Sequence, residues 1–128
     1  MLSLQAQNIN PNMATKNTSD IRIAIELDEN RVPEKMAWTA RDGGVANEEA
    51  KAMLLSLWDG DQQESIRIDL WTKEMPVDEM QVFFHQTLVG MTDSFRRATG
   101  NDKMADTMKD FTDYFAEHLD LKTDKDKL

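Results

Sequence analysis

The sequence predicts an α+β protein in two layers, a four-stranded antiparallel meander sheet packed against two long antiparallel C-terminal helices. The segments 20–28, 32–41 and 66–72 alternate apolar and polar residues, which is the period of half-buried strands. The C-terminal third instead repeats apolar residues every three or four positions, as amphipathic helices do. Because the strands come before the helices instead of alternating with them, the two kinds of element should form separate layers.

The composition indicates one acidic globular domain. The chain has 128 residues, of which 40% are hydrophobic and 30% charged, values typical of a folded domain of this length. We expect that domain over residues 20–121, a disordered extension over 1–19 and a charged disordered tail over 122–128. Residues 1–19 lack the basic start and apolar segment of a secretory signal, which favours a cytoplasmic protein, and Met13 is an alternative start.

The net charge and the short apolar runs limit the classes of partner that the protein is expected to bind. A net charge of −9 disfavours nucleic acid and anionic membrane surfaces, since both attract Lys and Arg. The apolar runs are only a few residues long, so no direct membrane insertion is expected. The absence of cysteine excludes disulfides and thiolate metal sites.

The first two strands follow from alternation. The face predicted to be buried carries Ile21, Ile23, Ile25 and Leu27 on the first strand and Met36, Trp38 and Ala40 on the second. Glu29-Asn30 lies where a turn is needed, and Asn30 tolerates a left-handed conformation. Pro33 cannot donate to a strand ladder and belongs at the start of its strand.

The middle of the chain has two interpretations. After the break at Asp42-Gly43-Gly44, Asn47 is predicted to cap a short helix that runs to about Ala52. Residues 53–58 could extend that helix or form a strand. We favour the strand, because Asp59-Gly60-Asp61 is a turn that joins it to residues 66–72 as a hairpin.

The C-terminal helices have clear ends. Pro76 suits a first helical turn, Gly100 ends the first helix, and Asn101 caps the second. The two apolar stripes are Val77, Met80, Phe84, Leu88, Met91, Phe95 and Ala98, and then Met104, Met108, Phe111, Phe115 and Leu119. We expect the methionines of these stripes to fill the core, although a methionine-rich surface that binds peptides is the alternative.

No segment has the spacing of a metal site. The loop that starts at Asp59 resembles a calcium loop, but the EF-hand positions for Gly and Glu hold Glu64 and Leu70. His85 and His118 lie on different helices without two further ligands, so we expect each to make local hydrogen bonds.

Catalytic patterns are also lacking, so we predict no catalytic, cofactor or metal residues and no enzyme. No serine lies in a nucleophile elbow, and the carboxylate pairs Asp78-Glu79 and Asp110/Asp113 fall on predicted helix surfaces. An enzyme built on such surface carboxylates is an alternative that no motif supports.

One aromatic pair does not fit a simple half-buried sheet. The core face of the hairpin is predicted to carry Leu55, Leu57, Ile66, Ile68 and Leu70. Trp58 and Trp71 then lie on the polar face with Leu54 and Arg67. Either the hairpin is offset or residues 45–52 cover this face, or these four residues form a protein-interaction site, since tryptophan is enriched at binding hot spots. A self-complementary patch would give a homodimer.

Three segments resemble the GldC family of gliding motility proteins. They are IELDENRVPEKMAWTARDGG, IDLWTKEMPVDEMQVFFHQTL and TGNDKMADTMKDFTDYFAEHL. The resemblance covers about residues 21–121 and implies a small cytoplasmic accessory protein of bacterial gliding, whose machinery is coupled to type IX secretion. It implies no catalytic or cofactor residues.

Two functional hypotheses follow. The first is a non-enzymatic interaction protein that binds a protein component of the gliding machinery through the face around Trp58 and Trp71. The alternative is a chaperone-like module that holds an extended polypeptide at a sheet edge, since edge strands accept an added strand.

Overall fold

The computed structural model describes residues 17–121, so the expectations for residues 1–16 and for the tail from 122 lie outside the described part. The α+β class is confirmed. The elements are β1 (Ile21–Leu27), β2 (Pro33–Ala40), a 3₁₀ turn (Arg41–Gly43), β3 (Val45–Ala50), β4 (Ala52–Asp59), β5 (Glu64–Trp71), α1 (Val77–Thr99) and α2 (Asp102–His118). The chain divides into a strand unit that ends at Met75 and a helix unit that begins at Pro76. The single domain over 20–121 and the packing of helices on a sheet stay predictions.

The strand unit contains two antiparallel sheets where we predicted one meander of four strands. The first sheet has the order β1-β2-β3, and the second pairs β4 with β5. Only Lys51 separates β3 from β4. Residues 45–59, which bend at Lys51, therefore pair first with β2 and then with β5.

The placement of the predicted apolar residues on one face of the first sheet is confirmed, but Ile21 and Leu27, expected to be buried, are 49% and 42% exposed. Ile23 faces Trp38 and Ile25 faces Met36 across β1 and β2. Met36 and Ala40 are buried. The opposite face is polar, and there Lys35 pairs with Glu49 of β3 at 3.1 Å. Alternation thus sorted the two faces correctly.

The short helix predicted from Asn47 to about Ala52 is wrong, because residues 45–50 form β3. An isolated helix of five or six residues gains few hydrogen bonds for the cost of nucleation, whereas β3 pairs its backbone with β2. The Asn47 amide accordingly donates to Thr39 Oγ1 at 3.0 Å. The glycine break is confirmed, since Gly44 has a φ of 74°.

The turn between β1 and β2 is held by one carboxylate. Asp28 Oδ1 accepts hydrogen bonds from the amides of Asn30 at 2.8 Å and Val32 at 2.9 Å. The left-handed residue is Arg31, with φ of 63°, and not the predicted Asn30. Lys73, just after β5, also contacts this carboxylate, and its hydrogen bond is the main reason that the pKa of Asp28 is lowered.

In the helix unit, both predicted helix ends are confirmed. Gly100 has a φ of 69°, and its amide donates to the Arg96 carbonyl. Asn101 caps α2 by accepting from the Met104 amide at 3.0 Å. The Arg96 guanidinium bridges the connection by bonding Asp102 at 3.1 Å and Asp106 at 2.7 Å.

The contact between the two helices follows the predicted apolar stripes only in part, since Phe115 stacks on His85 while Phe84 and Phe111 are exposed. The buried residues of the helices are small ones, namely Thr92, Ala105, Thr112 and Ala116. A helix turns by about 100° per residue, so Phe84 and Met91 point roughly a quarter-turn away from Thr92. Met91 and Met104, expected in the core, are exposed, while Met80 and Met108 are half-buried.

The Asp28–Lys73 contact predicts a pH-dependent stability. Because the pKa of Asp28 is below its ordinary value of 3.8 in the folded protein, the folded state binds fewer protons than the unfolded one in acid. The stabilisation by this carboxylate is therefore present above that value and is lost as the pH falls through the folded pKa.

Asp28→Asn should consequently lower the free energy of unfolding at neutral pH and make no difference at strongly acidic pH. The measurement is urea denaturation at a series of pH values. The control is Lys73→Met, which should lower the free energy of unfolding at neutral pH by most of the same amount. The double variant should lower it little further, because the two side chains act through one contact. If the free energies of unfolding of wild type and Asp28→Asn differ by the same amount at every pH, the ionised Asp28 carboxylate is not the source of the stabilisation.

The small buried residues of the helices predict that a larger side chain at one of these positions destabilises the protein. Ala116 is 1% exposed, so Ala116→Leu should force the helices apart and destabilise the protein by about 1–3 kcal/mol. Ala98→Leu, at an exposed position of α1, is the matched control and should change stability by less than about 0.5 kcal/mol. Thermal unfolding followed by circular dichroism measures both, and equal effects would contradict the assignment of the helix contact.

Candidate functional site

The β4–β5 hairpin holds all four predicted interaction residues, and its turn sets their positions. Asp59 Oδ1 accepts from the amides of Asp61 at 2.9 Å and Gln62 at 3.2 Å. Gln63 closes the turn in a left-handed conformation, with φ of 57°, and its amide donates to the Asp59 carbonyl at 2.9 Å. The predicted turn is confirmed. Its first carboxylate, Asp59, which begins the segment that resembles a calcium loop, accepts hydrogen bonds from the backbone of the turn.

The register of the hairpin is unbroken from the pair Asp59–Glu64 to the pair Ala52–Trp71. Directly opposite residues of an antiparallel pair share one face. One face, which we call the tryptophan face, consists of Ala52, Leu54, Ser56, Trp58, Ser65, Arg67, Asp69 and Trp71. Both tryptophans are exposed, Trp58 at 65% and Trp71 at 55%.

The two tryptophans lie at opposite ends of this face. Trp58 faces Ser65 near the turn, whereas Trp71 faces Ala52 at the base of the hairpin. Six positions of extended strand span about 20 Å. The structure therefore brings Leu54 near Trp71 but does not join the two indoles into one patch. The two arrangements that would have buried the tryptophans do not occur. The hairpin register has no offset, and residues 45–50 pair with β2.

Between the tryptophans the face is polar. Arg67 Nε pairs with Asp69 Oδ2 at 3.1 Å, with both side chains in contact with water. The hydroxyls of Ser56 and Ser65 lie 3.3 Å apart. An exposed ion pair of this kind adds little to folding stability, so these groups remain available for contacts with another molecule.

The opposite face of the hairpin, which we call the leucine face, is the feature that sequence reasoning missed. It consists of Met53, Leu55, Leu57, Ile66, Ile68 and Leu70. All of them except Met53 were predicted to face the core, yet Leu57, Ile66 and Ile68 are 59%, 51% and 48% exposed. A signal was present, because residues 54–58 carry apolar side chains on both faces, interrupted only by Ser56, as in strands that are covered from both sides.

The histidines have local partners in the helix unit. His85 is half-buried, donates from Nε2 to the Thr112 carbonyl at 3.1 Å and stacks on Phe115 with ring centroids 6.1 Å apart. His118 stacks on Tyr114 at 5.2 Å. Over residues 17–121, no group of three or more His, Asp or Glu side chains is arranged to hold a metal ion.

The carboxylates considered for catalysis lie on helix surfaces. Asp78, Glu79, Asp110 and Asp113 are exposed, and Asp113 pairs with Lys109 one turn away at 2.9 Å. Neither helix of the described part is long and apolar enough to cross a bilayer.

These observations define a small acidic α+β protein whose distinguishing surface is a hairpin with exposed aromatic and aliphatic side chains. The model of the family described as gliding motility-associated protein GldC-like matches residues 33–121, which is more than half of the chain. The protein belongs to this family, and the resemblance seen in the sequence is confirmed. Comparisons with curated proteins and with solved structures found no match.

Proposed function

We propose that the protein is a non-enzymatic accessory protein of bacterial gliding that acts in the cytoplasm by binding a protein component of the gliding and type IX secretion machinery. Membership of the GldC-like family supports the association with gliding motility. The binding role is supported by one observation, the two exposed tryptophans on a face of the hairpin that also carries Ser56, Ser65, Arg67 and Asp69.

The tryptophan face has the composition of a contact surface. Tryptophan and arginine are the residues most enriched at binding hot spots, and Trp58, Trp71 and Arg67 are all exposed. Leu54 is half-buried beside Asp69 and adds apolar area next to Trp71. The net charge of −9 favours a partner with a basic contact surface, since opposite potentials speed association.

A second candidate function is a chaperone-like module that holds an extended polypeptide. The half-exposed leucine face favours it, as does β1, which pairs on one side only within the described residues. An edge strand offers backbone hydrogen bonds to any extended chain. Binding to a permanently unfolded, alkylated model protein separates the two functions, because a dedicated adaptor should show none.

Substituting both tryptophans tests the first function. Trp58→Ser combined with Trp71→Ser should abolish recovery of one or two stoichiometric partners when tagged protein is purified from a gliding bacterium and analysed by mass spectrometry. Each hot-spot tryptophan contributes about 2 kcal/mol or more, or roughly 30-fold in affinity. Since both side chains are exposed, the thermal midpoint should change little.

The matched control is Tyr114→Ser, which removes an aromatic side chain of similar exposure, 58%, from the helix unit. This variant should recover the same partners as wild type. If the double tryptophan variant does so too, the tryptophan face is not the binding site. A diffuse set of unfolded clients, retained in the double variant, would favour the chaperone-like function.

A further inference from the structure

The outer edge of β5 has no strand partner within residues 17–121, because β5 pairs with β4 alone. The Thr72 amide donates to the Lys51 carbonyl at 2.8 Å, and these two residues continue the β4–β5 register. Backbone groups point alternately to the two sides of an antiparallel strand. Even-numbered residues of β5 therefore bond to β4, and the outer edge presents the backbone groups of Ser65, Arg67, Asp69 and Trp71.

This edge belongs to a sheet that is incomplete by itself. A two-stranded sheet is marginally stable in water, and three or more strands with an apolar face are needed for independent stability. The β4–β5 sheet has two strands, and its leucine face is about half exposed. The outer edge of β5 is eight residues long and pairs with no strand of the described part of the chain, and such an edge is a template for a further strand.

The side chains of β5 are complementary to a second copy of β5. When two identical strands pair antiparallel across a two-fold axis, one residue faces its own copy and its neighbours exchange partners. With Ile68 on the axis, Arg67 faces Asp69 of the second copy, and Asp69 faces Arg67 of the second copy. Each charge then lies beside two opposite charges, because Arg67 and Asp69 already pair within one chain.

Other registers lack this complementarity. An axis at Arg67 or at Asp69 places two like charges directly opposite each other, which destabilises a strand pair. An axis at Leu70 places Arg67 opposite Lys73, again with like charge, and an axis at Ile66 leaves Arg67 opposite a serine. Among these five positions, Ile68 alone pairs the charges with opposite signs.

The same register completes both faces of the sheet. On the leucine face, Ile66 comes to lie beside Leu70 of the second copy, so the apolar face doubles in width without a polar interruption. On the tryptophan face, Trp71 faces Ser65 of the second copy, whose neighbour across the hairpin is Trp58. Trp71 and that Trp58 are two strand spacings apart, about 10 Å, with only a serine between them. Within one chain Trp58 and Trp71 lie about 20 Å apart. In the dimer, each of them instead lies about 10 Å from the other tryptophan of the second copy.

We propose that a second copy of the chain pairs with β5 antiparallel, with Ile68 on the two-fold axis, to form a four-stranded sheet in the order β4-β5-β5-β4. The occupant of the edge is the chain itself because the charges of β5 complement their own copy in this register. The proposal does not rest on the function in gliding. It adds that the tryptophan face presented to a partner carries two composite tryptophan pairs.

Single cysteines test the register directly, because the chain has none of its own. Ile68→Cys should form a disulfide-linked dimer under mild oxidation. The two Cα atoms of a non-hydrogen-bonded antiparallel pair are about 4.5 Å apart, within the range of a disulfide. Ile66→Cys and Leu70→Cys are matched controls on the same strand and face. Their thiols would be separated by four strand positions, about 14 Å, and should not cross-link.

Charge exchange provides a second, independent readout with the full chain in sedimentation velocity. Arg67→Asp and Asp69→Arg should each weaken the dimer about tenfold or more, since two attractive pairs become repulsive. The double variant restores opposite charges and should recover the wild-type dimer. Far-ultraviolet circular dichroism establishes that each variant is folded.

Three results would overturn the proposal. They are a monomeric wild type at all concentrations, cross-linking of the Ile66 or Leu70 cysteine as fast as that of Ile68, and a double charge variant that does not recover the dimer. A monomer that instead cross-links through position 68 to an unfolded cysteine-containing polypeptide would assign the edge to an extended client. Because purified protein is used, failure here leaves the tryptophan test of partner binding unaffected.

Discussion

The hydrogen bond from the Thr72 amide to the Lys51 carbonyl, 2.8 Å long, lies where the strand unit changes from one sheet to the other. Lys51 is the only residue between β3 and β4, and Thr72 is 4% exposed just after β5. Before Lys51 the chain pairs with β2, and after it the chain pairs with β5. The same bond determines which backbone groups of β5 face β4. The odd-numbered residues of β5 are therefore the ones that present their backbone groups at its outer edge.

The sequence predicted four of the five strands of the described residues, both long helices and most of their ends, because each depends on local patterns. Alternation located β1 and β2, and Gly100 and Asn101 located the link between the helices. The short helix from Asn47 failed for a nonlocal reason. Its acidic first turn fits a helix N-terminus, yet the backbone there finds its hydrogen bonds in β2, and Glu49 finds Lys35. Local propensity carries no information about a neighbouring strand.

The contact between α1 and α2 could not be predicted in full from the spacing of apolar residues. A stripe such as Phe84 and Met91 indicates which side of a helix is apolar, but it does not identify the neighbour that the side meets. In the structure the buried side chains of α1 and α2 are small, namely Thr92, Ala105, Thr112 and Ala116, and small side chains permit close packing. The larger apolar side chains are half-buried or exposed. Inspection of small residues at helical spacing would have been needed to predict this contact.

For the candidate site, the sequence placed Trp58, Trp71, Leu54 and Arg67 on one face correctly because a strand alternates with a fixed period. It did not reveal that the tryptophans lie at opposite ends, since that depends on the register set by the turn after Asp59. Nor did it reveal the exposure of the leucine face, since burial depends on what covers a sheet and not on its own residues. A strand with Leu57 on one face and Trp58 on the other requires cover on both sides to bury its apolar area. Within the strand unit the hairpin therefore has the most apolar area left to bury, and contacts with other molecules gain the most there.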